Sequence, residues 1–185
     1  MSLVAIYHDI TELKQATRAI EESERRLADI IDFLPDATLV IDRDGKVIAW
    51  NRAMEEMTGV RAGDILNKGD YEYSLPFYGA RRPILIDLVL LPDEELESRY
   101  AAIERQGATL VGEALVPVLR GKPAYLYATA SALRGARGEA LGAIETIRDI
   151  SDRKQVEEEL REAKAAAEAA AQAKSAFLAT MSHEI

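Results

Sequence analysis

The stretch Ala37-Thr38-Leu39-Val40-Ile41-Asp42-Arg43-Asp44-Gly45-Lys46-Val47-Ile48-Ala49-Trp50-Asn51 decides how this chain folds. Two runs rich in β-branched and apolar residues flank an Asp-Gly pair, and such a pair between strands signals a hairpin, because glycine takes the positive φ of a tight turn. Residues 53–58 then carry a short helical pattern that Gly59 is placed to stop. Three further strands are expected at 109–119, 124–133 and 141–150, separated by the turn signals Gly121-Lys122-Pro123 and Gly135-Ala136-Arg137-Gly138. In the middle one Tyr125, Tyr127, Thr129 and Ser131 alternate with Leu126, Ala128, Ala130 and Ala132, which gives a strand two unlike faces. Leu96, Tyr100 and Ile103 predict a helix over residues 93–106 with a solvated charged face, stopped by Gly107. Two strands, helices, then three strands make an antiparallel five-stranded α+β sheet with short helices on one face the economical arrangement.

Composition narrows the function. The 185 residues leave room for one core domain with helical flanks. A net charge of −9 and no basic cluster exclude a nucleic-acid partner of the counterion-release kind. The absence of cysteine excludes disulfides, thiolate metal sites, cysteine nucleophiles and a cysteine–flavin adduct. No apolar run approaches the length that spans a bilayer and no signal peptide opens the chain, so it is expected to be soluble and cytoplasmic, with any membrane anchor elsewhere in a longer parent.

Both ends read as helices. Residues 9–15 resemble residues 149–155 at an offset of 140, each with a β-type run meeting a hydroxyl, Thr11 or Ser151, suited to cap a helix. After the first junction Leu13, Ala16, Ile20, Ser23, Leu27, Ile30 and Leu34 recur at alternating three- and four-residue spacing, and Pro35 ends the run. After the second, Val156, Leu160, Ala163, Ala167, Ala170, Lys174, Phe177 and Met181 do the same. Such seams predict coiled-coil-type helices that pair in a homodimer, the alternative for the second being a single amphipathic helix lying on its own domain. The domain limits are then 1–11 for the end of a preceding domain or simply the chain's start, 12–34 for a linker helix, 35–151 for the core domain and 152–185 for an output helix.

Asp36-Ala37, the Ile41–Val47 hairpin, Trp50-Asn51-Arg52-Ala53, Thr58-Gly59 and Asp149-Ile150-Ser151, in that order, resemble a PAS domain over residues 23–152. That resemblance implies an antiparallel sheet enclosing a ligand cavity, with Asp149, Ile150 and Ser151 coupling sheet to output helix. It also implies that what precedes Thr11 is the last strand of another PAS-like domain. Phe177-Leu178-Ala179-Thr180-Met181-Ser182-His183-Glu184-Ile185, after Lys174-Ser175, resembles the phosphoacceptor box of sensor histidine kinases. His183 would be the phosphoacceptor and Glu184 its assisting base, because a neutral imidazole nitrogen must face a γ-phosphate and an adjacent carboxylate can orient it or take its proton. No Gly-rich phosphate loop or magnesium-binding set accompanies them, so the fragment is not itself an enzyme. The parent's ATP-binding domain and a response-regulator receiver domain are the implied partners.

Ligand identity is less constrained. His8 and His183 lie outside the core, which argues against histidine-ligated haem, and no metal site is expected. A non-covalent flavin, a small organic anion or nothing are the options for a cofactor or ligand. Trp50 and, in the long segment after Asn67, Tyr71, Tyr73, Phe77, Tyr78, Arg81 and Arg82 are the candidate ligand-binding residues, since guanidinium forks bind carboxylates and stack on rings. The competing account packs those aromatics on the core and leaves the arginines in solvent. The chain is thus read as the signal input of a two-component histidine kinase. The alternatives are a structural dimerisation module without a ligand, and a module serving a different output such as a cyclic-dinucleotide synthase.

Overall fold

The computed structural model describes residues 2–91 and 103–183. A long helix α1 (Ser2–Asp32) leads into the hairpin β1 (Ala37–Asp42) and β2 (Val47–Trp50). Short helices α2 (Arg52–Thr58), α3 (Ala62–Ile65), α4 (Leu75–Tyr78) and α5 (Leu85–Leu88) follow, with a single 3-10 turn at Glu72–Ser74. Strands β3 (Ile103–Gln106), β4 (Thr109–Leu119), β5 (Lys122–Arg134) and β6 (Ala140–Asp149) complete the sheet, and α6 (Ser151–His183) leaves it. Among the described residues no helix is long and apolar enough to cross a membrane.

The sheet is antiparallel throughout, in the order β2-β1-β6-β5-β4-β3, so β1 lies beside β6 at its centre although the two are far apart in sequence. Among the described residues it has six strands, against an expectation of five. Residues 103–106 of the predicted helix form β3, and the rest of that helix lies outside the described residues. Gly107 (φ 65°) explains the difference: instead of ending a helix it opens a two-residue hairpin turn, with Gln106 paired to Thr109. Residues 2–11 also depart from expectation, being helical where a terminal strand was foreseen. A strand needs a neighbour for its amides, and a helix satisfies them within the segment.

Local chemistry explains the hairpin and the helix after it. Asp42 Oδ1 accepts the N–H groups of Asp44 and Lys46, both at 2.9 Å, and Gly45 takes φ 75°. Asn51 then caps α2, its Oδ1 accepting Met54 N–H at 2.9 Å, and Gly59 (φ 79°) closes the helix through its N–H to Glu55 O. The same Oδ1 accepts Thr38 N–H at 2.8 Å, while Nδ2 donates to the carbonyls of Ile31, Leu34 and Asp36. One buried amide therefore joins the end of α1, β1 and α2.

The core lies between the inner sheet face and the short helices, and includes Leu39, Ile41, Val47, Met54, Tyr73, Phe77, Ile86, Leu110 and Val116. On β5 the face of Ala124, Leu126 and Ala130 is buried, as its alternation predicts. Most of the described seam residues of the long helices are exposed: Leu13 on α1 and Leu160 on α6 are 68% and 69% exposed.

Candidate ligand cavity and output junction

A cavity of about 420 Å³ opens on the inner face of the sheet, beneath α4 and α5. Gly112, Ala114 and Ala128 line it from β4 and β5, and their small side chains leave the space that larger residues would fill. Phe77 and Tyr78 close it from α4, Leu85 and Leu88 from α5, and Leu126, Ile147 and Glu145 from the sheet.

Glu145 is the group that sequence reading missed. It sits on the central strand β6 in phase with Ala143 and Ile147, paired across the sheet with Leu39 on one side and Ala130 on the other, and is 2% exposed. Its Oε2 accepts Ile86 N–H at 2.9 Å, which ties α5 to the sheet. Burial pushes the carboxyl up to about 8, with Asp87 adding to the shift, so it is largely uncharged at neutral pH. The signal was available: a carboxylate between two apolar residues of the same strand face. Its meaning depended on knowing that β6 is central and that a cavity lies against it.

Half-buried Asp87 and buried Tyr73 form a second pair, Tyr73 OH donating to Asp87 Oδ1 at 2.5 Å while Ile84 N–H donates to Oδ2 at 2.8 Å. Burial raises both, the tyrosine strongly. This pair borders a separate cleft, which Tyr71 and Gly45 also line.

The predicted ligand residues therefore divide. Phe77, Tyr78 and Arg82 meet at the first cavity, the Arg82 guanidinium carbon 4.7 Å from the Tyr78 ring centre. Burial raises the Tyr78 hydroxyl, and Arg82 partly offsets this. Tyr71 and Tyr73 border the second cleft, edge to face at 6.4 Å. Trp50 and Arg81 line neither. The Trp50 indole is buried and donates to Val60 O at 3.1 Å, fixing the loop after α2. Arg81 is exposed and paired with Asp70 and Glu72, whose carboxyl at position 72 it holds below the usual range.

The passage from β6 into α6 is bound to β5. Ile150 N–H donates to Tyr125 O at 2.8 Å, and Tyr125 N–H donates to Ser151 Oγ at 3.0 Å. The expected role of Ser151 as the helix cap is thus taken by Asp149, whose Oδ1 accepts Ser151 N–H at 2.9 Å. The serine hydroxyl is engaged by the sheet instead. One turn further on, Lys154 and Arg153 reach Glu113 of β4 at 2.6 and 2.5 Å. These contacts, that of Lys154 foremost, lower the Glu113 carboxyl. Gly112 and Ala114, in the alternate phase of β4, line the cavity together with Glu113 itself, so one strand touches both the cavity and α6. α6 continues to His183, whose side chain, with all of Glu184, lies outside the described residues.

A curved antiparallel sheet with helices packed over a cavity on its inner face is the architecture of PAS domains, and residues 31–155 match the family model described as the PAS fold. The chain belongs to that family. It is also related along nearly its whole length to the virulence sensor protein BvgS: 30% identical over 184 residues to that of Bordetella bronchiseptica, covering 99% of this chain and 14% of the relative. The Bordetella pertussis counterpart is 31% identical over 185 residues, again 99% of this chain and 14% of the relative. Among solved structures, an RNA-binding light-oxygen-voltage receptor superposes with TM-score 0.53 at 15% identity, covering 77% of this chain and 37% of its own. The PAS domain of Bordetella pertussis BvgS gives TM-score 0.49 at 21% identity, covering 79% of this chain and 98% of its own.

Proposed function

We propose that this chain is the signal-input module of a sensor histidine kinase, in which the state of the PAS cavity is relayed through α6 to His183. The observation that carries this reading is β4, which lines the cavity with Gly112 and Ala114 and holds the first turn of α6 through Glu113. A ligand pressing on the inner face displaces a strand that also grips the helix. The hydrogen bonds of Ile150 and Ser151 to Tyr125 keep that helix start fixed to β5, so displacement becomes rotation rather than detachment.

The phosphotransfer end of the proposal rests on residues 174–185, with His183 as acceptor, Glu184 as assisting base, and the parent's ATP-binding domain as phosphate donor. The acceptor of the next transfer is a receiver domain. Parallel pairing of α1 and α6 with a second copy supplies the partner that the exposed seams of Leu13, Ile20 and Leu27, and of Val156 and Leu160, require. A location in the cytoplasm follows from the need for ATP.

The test is radiolabelled ATP with the parent protein. Acid-labile label at His183, lost in His183→Gln, is expected. Label that survives this substitution would remove the phosphoacceptor assignment.

A further inference from the structure

We infer that the cavity selects a small organic anion with a flat apolar body, its acid group held by Arg82 and its body lying among Tyr78, Leu126 and Ile147. The inference rests on the cavity being the sensor's ligand site, and names the chemistry that site would take.

The two adjacent arginines differ. Arg81 is neutralised by Asp70 and Glu72. Arg82 stands over the Tyr78 ring and has no carboxylate within ion-pairing distance among the described residues. Its backbone is held, because Arg82 N–H donates to Ser74 Oγ at 3.0 Å, and Ser74 is itself fully buried. A planar guanidinium set over an aromatic ring keeps its fork of N–H donors available for a carboxylate. The cavity wall thus combines a positioned cation with an aromatic face.

The deeper group favours an anion as well. Glu145 is the one buried acid on the cavity wall, with one oxygen already bound to Ile86 N–H. In its neutral form it adds no repulsion to a bound acid and offers an O–H to an acceptor on the ligand body. Glu113, the other acid lining the cavity, is neutralised by Arg153 and Lys154; apart from these acids, Arg82 and the Tyr78 hydroxyl the wall is apolar, and the volume of about 420 Å³ falls at the lower end of small-molecule sites. A compact aromatic acid satisfies the rim, the wall and the floor together. A cationic amine of equal size would meet Arg82 with like charge.

Three probes of one shape separate the possibilities: naphthalene-2-carboxylate, naphthalene-2-carboxamide and 2-naphthylmethylammonium, titrated into the whole chain with methyl resonances of Leu126 and Ile147 as the readout. The carboxylate should bind about tenfold more tightly than the amide, the increment of one charge-assisted pair. Arg82→Gln, at an exposed position, should abolish that preference, bringing the carboxylate and the amide to equal affinity. Equal or tighter binding of the amide or the ammonium overturns the anion assignment while leaving the cavity as a ligand site. An acid preference that persists in Arg82→Gln overturns the role of Arg82. No methyl shift with any of the three overturns both the anion and the cavity reading.

Discussion

Replacing Glu145 with glutamine should flatten the pH dependence of this domain's stability between pH 5 and 7.5. The native carboxyl keeps its proton to about pH 8, whereas in the unfolded chain it releases it near the ordinary carboxylate value of 4.5. Between those values the unfolded state binds fewer protons, so raising the pH favours unfolding. Below pH 4.5 both states are protonated and the residue contributes no slope; above pH 8 both are ionised and the full penalty is present. Each pH unit in the window is worth about 1.4 kcal/mol, so from pH 5 to 7.5 the wild type should lose roughly 3 kcal/mol through this residue alone. Asp87, also raised by burial, adds a slope of the same sign in both proteins, and the comparison cancels it. Glutamine keeps an oxygen for the Ile86 N–H. Urea unfolding followed by circular dichroism at pH 5.0, 6.0, 7.0 and 7.5 measures the difference directly. Parallel stability curves for wild type and Glu145→Gln would refute the assignment of a buried neutral acid.

Two other substitutions and a set of insertions probe the frame. Asn51→Ala strands the Thr38 and Met54 amides and the Ile31 and Leu34 carbonyls that the side chain now satisfies, and should cost about 2–4 kcal/mol in the same unfolding assay; a loss under 1 kcal/mol would show that water replaces the amide. Gly142→Ala would set a Cβ 2.1 Å from Ile41 O, inside the β1–β6 pairing, and should lower the melting temperature by several degrees or prevent folding; a neutral result would mean the strand can shift. Insertions after Ala166 in the parent kinase should alter autophosphorylation with helical period, one residue turning the downstream helix by about 100° and seven nearly restoring its phase; indifference to insertion length would exclude rotation as the signal.

What could be read from the residues alone follows the physics of short-range order. The β1–β2 hairpin, the α2 stop at Gly59 and the two-faced β5 are set by local turn chemistry and period, and the structure has all three. Gly107 was ambiguous because positive φ serves a helix end and a hairpin equally, and only the pairing of β3 with β4 selects the second. Ser151 was read as a cap from its neighbours in sequence, but Tyr125, brought alongside by the sheet, competes for its hydroxyl. Trp50 and Arg81 belonged to plausible residue types, yet one is consumed by Val60 O and the other by two carboxylates. Phe77, Tyr78 and Arg82 fall at the cavity because α4 and the turn after it lie over β4. Glu145 and Glu113 matter through contacts 59 and 40 residues away, which no local pattern encodes.

The relay itself is tested most directly by filling the cavity and reading the far end of α6. Ala128→Phe places a ring in the space bordered by Ala114 and Ile147, and its effect on autophosphorylation of His183 in the parent protein can be compared with and without Glu113→Gln. Ala128→Phe alone should change the rate of phosphate incorporation several-fold, and most of that change should be lost when Glu113→Gln is added. An unchanged rate in the filled cavity, or a full response without the Glu113 carboxylate, would contradict it.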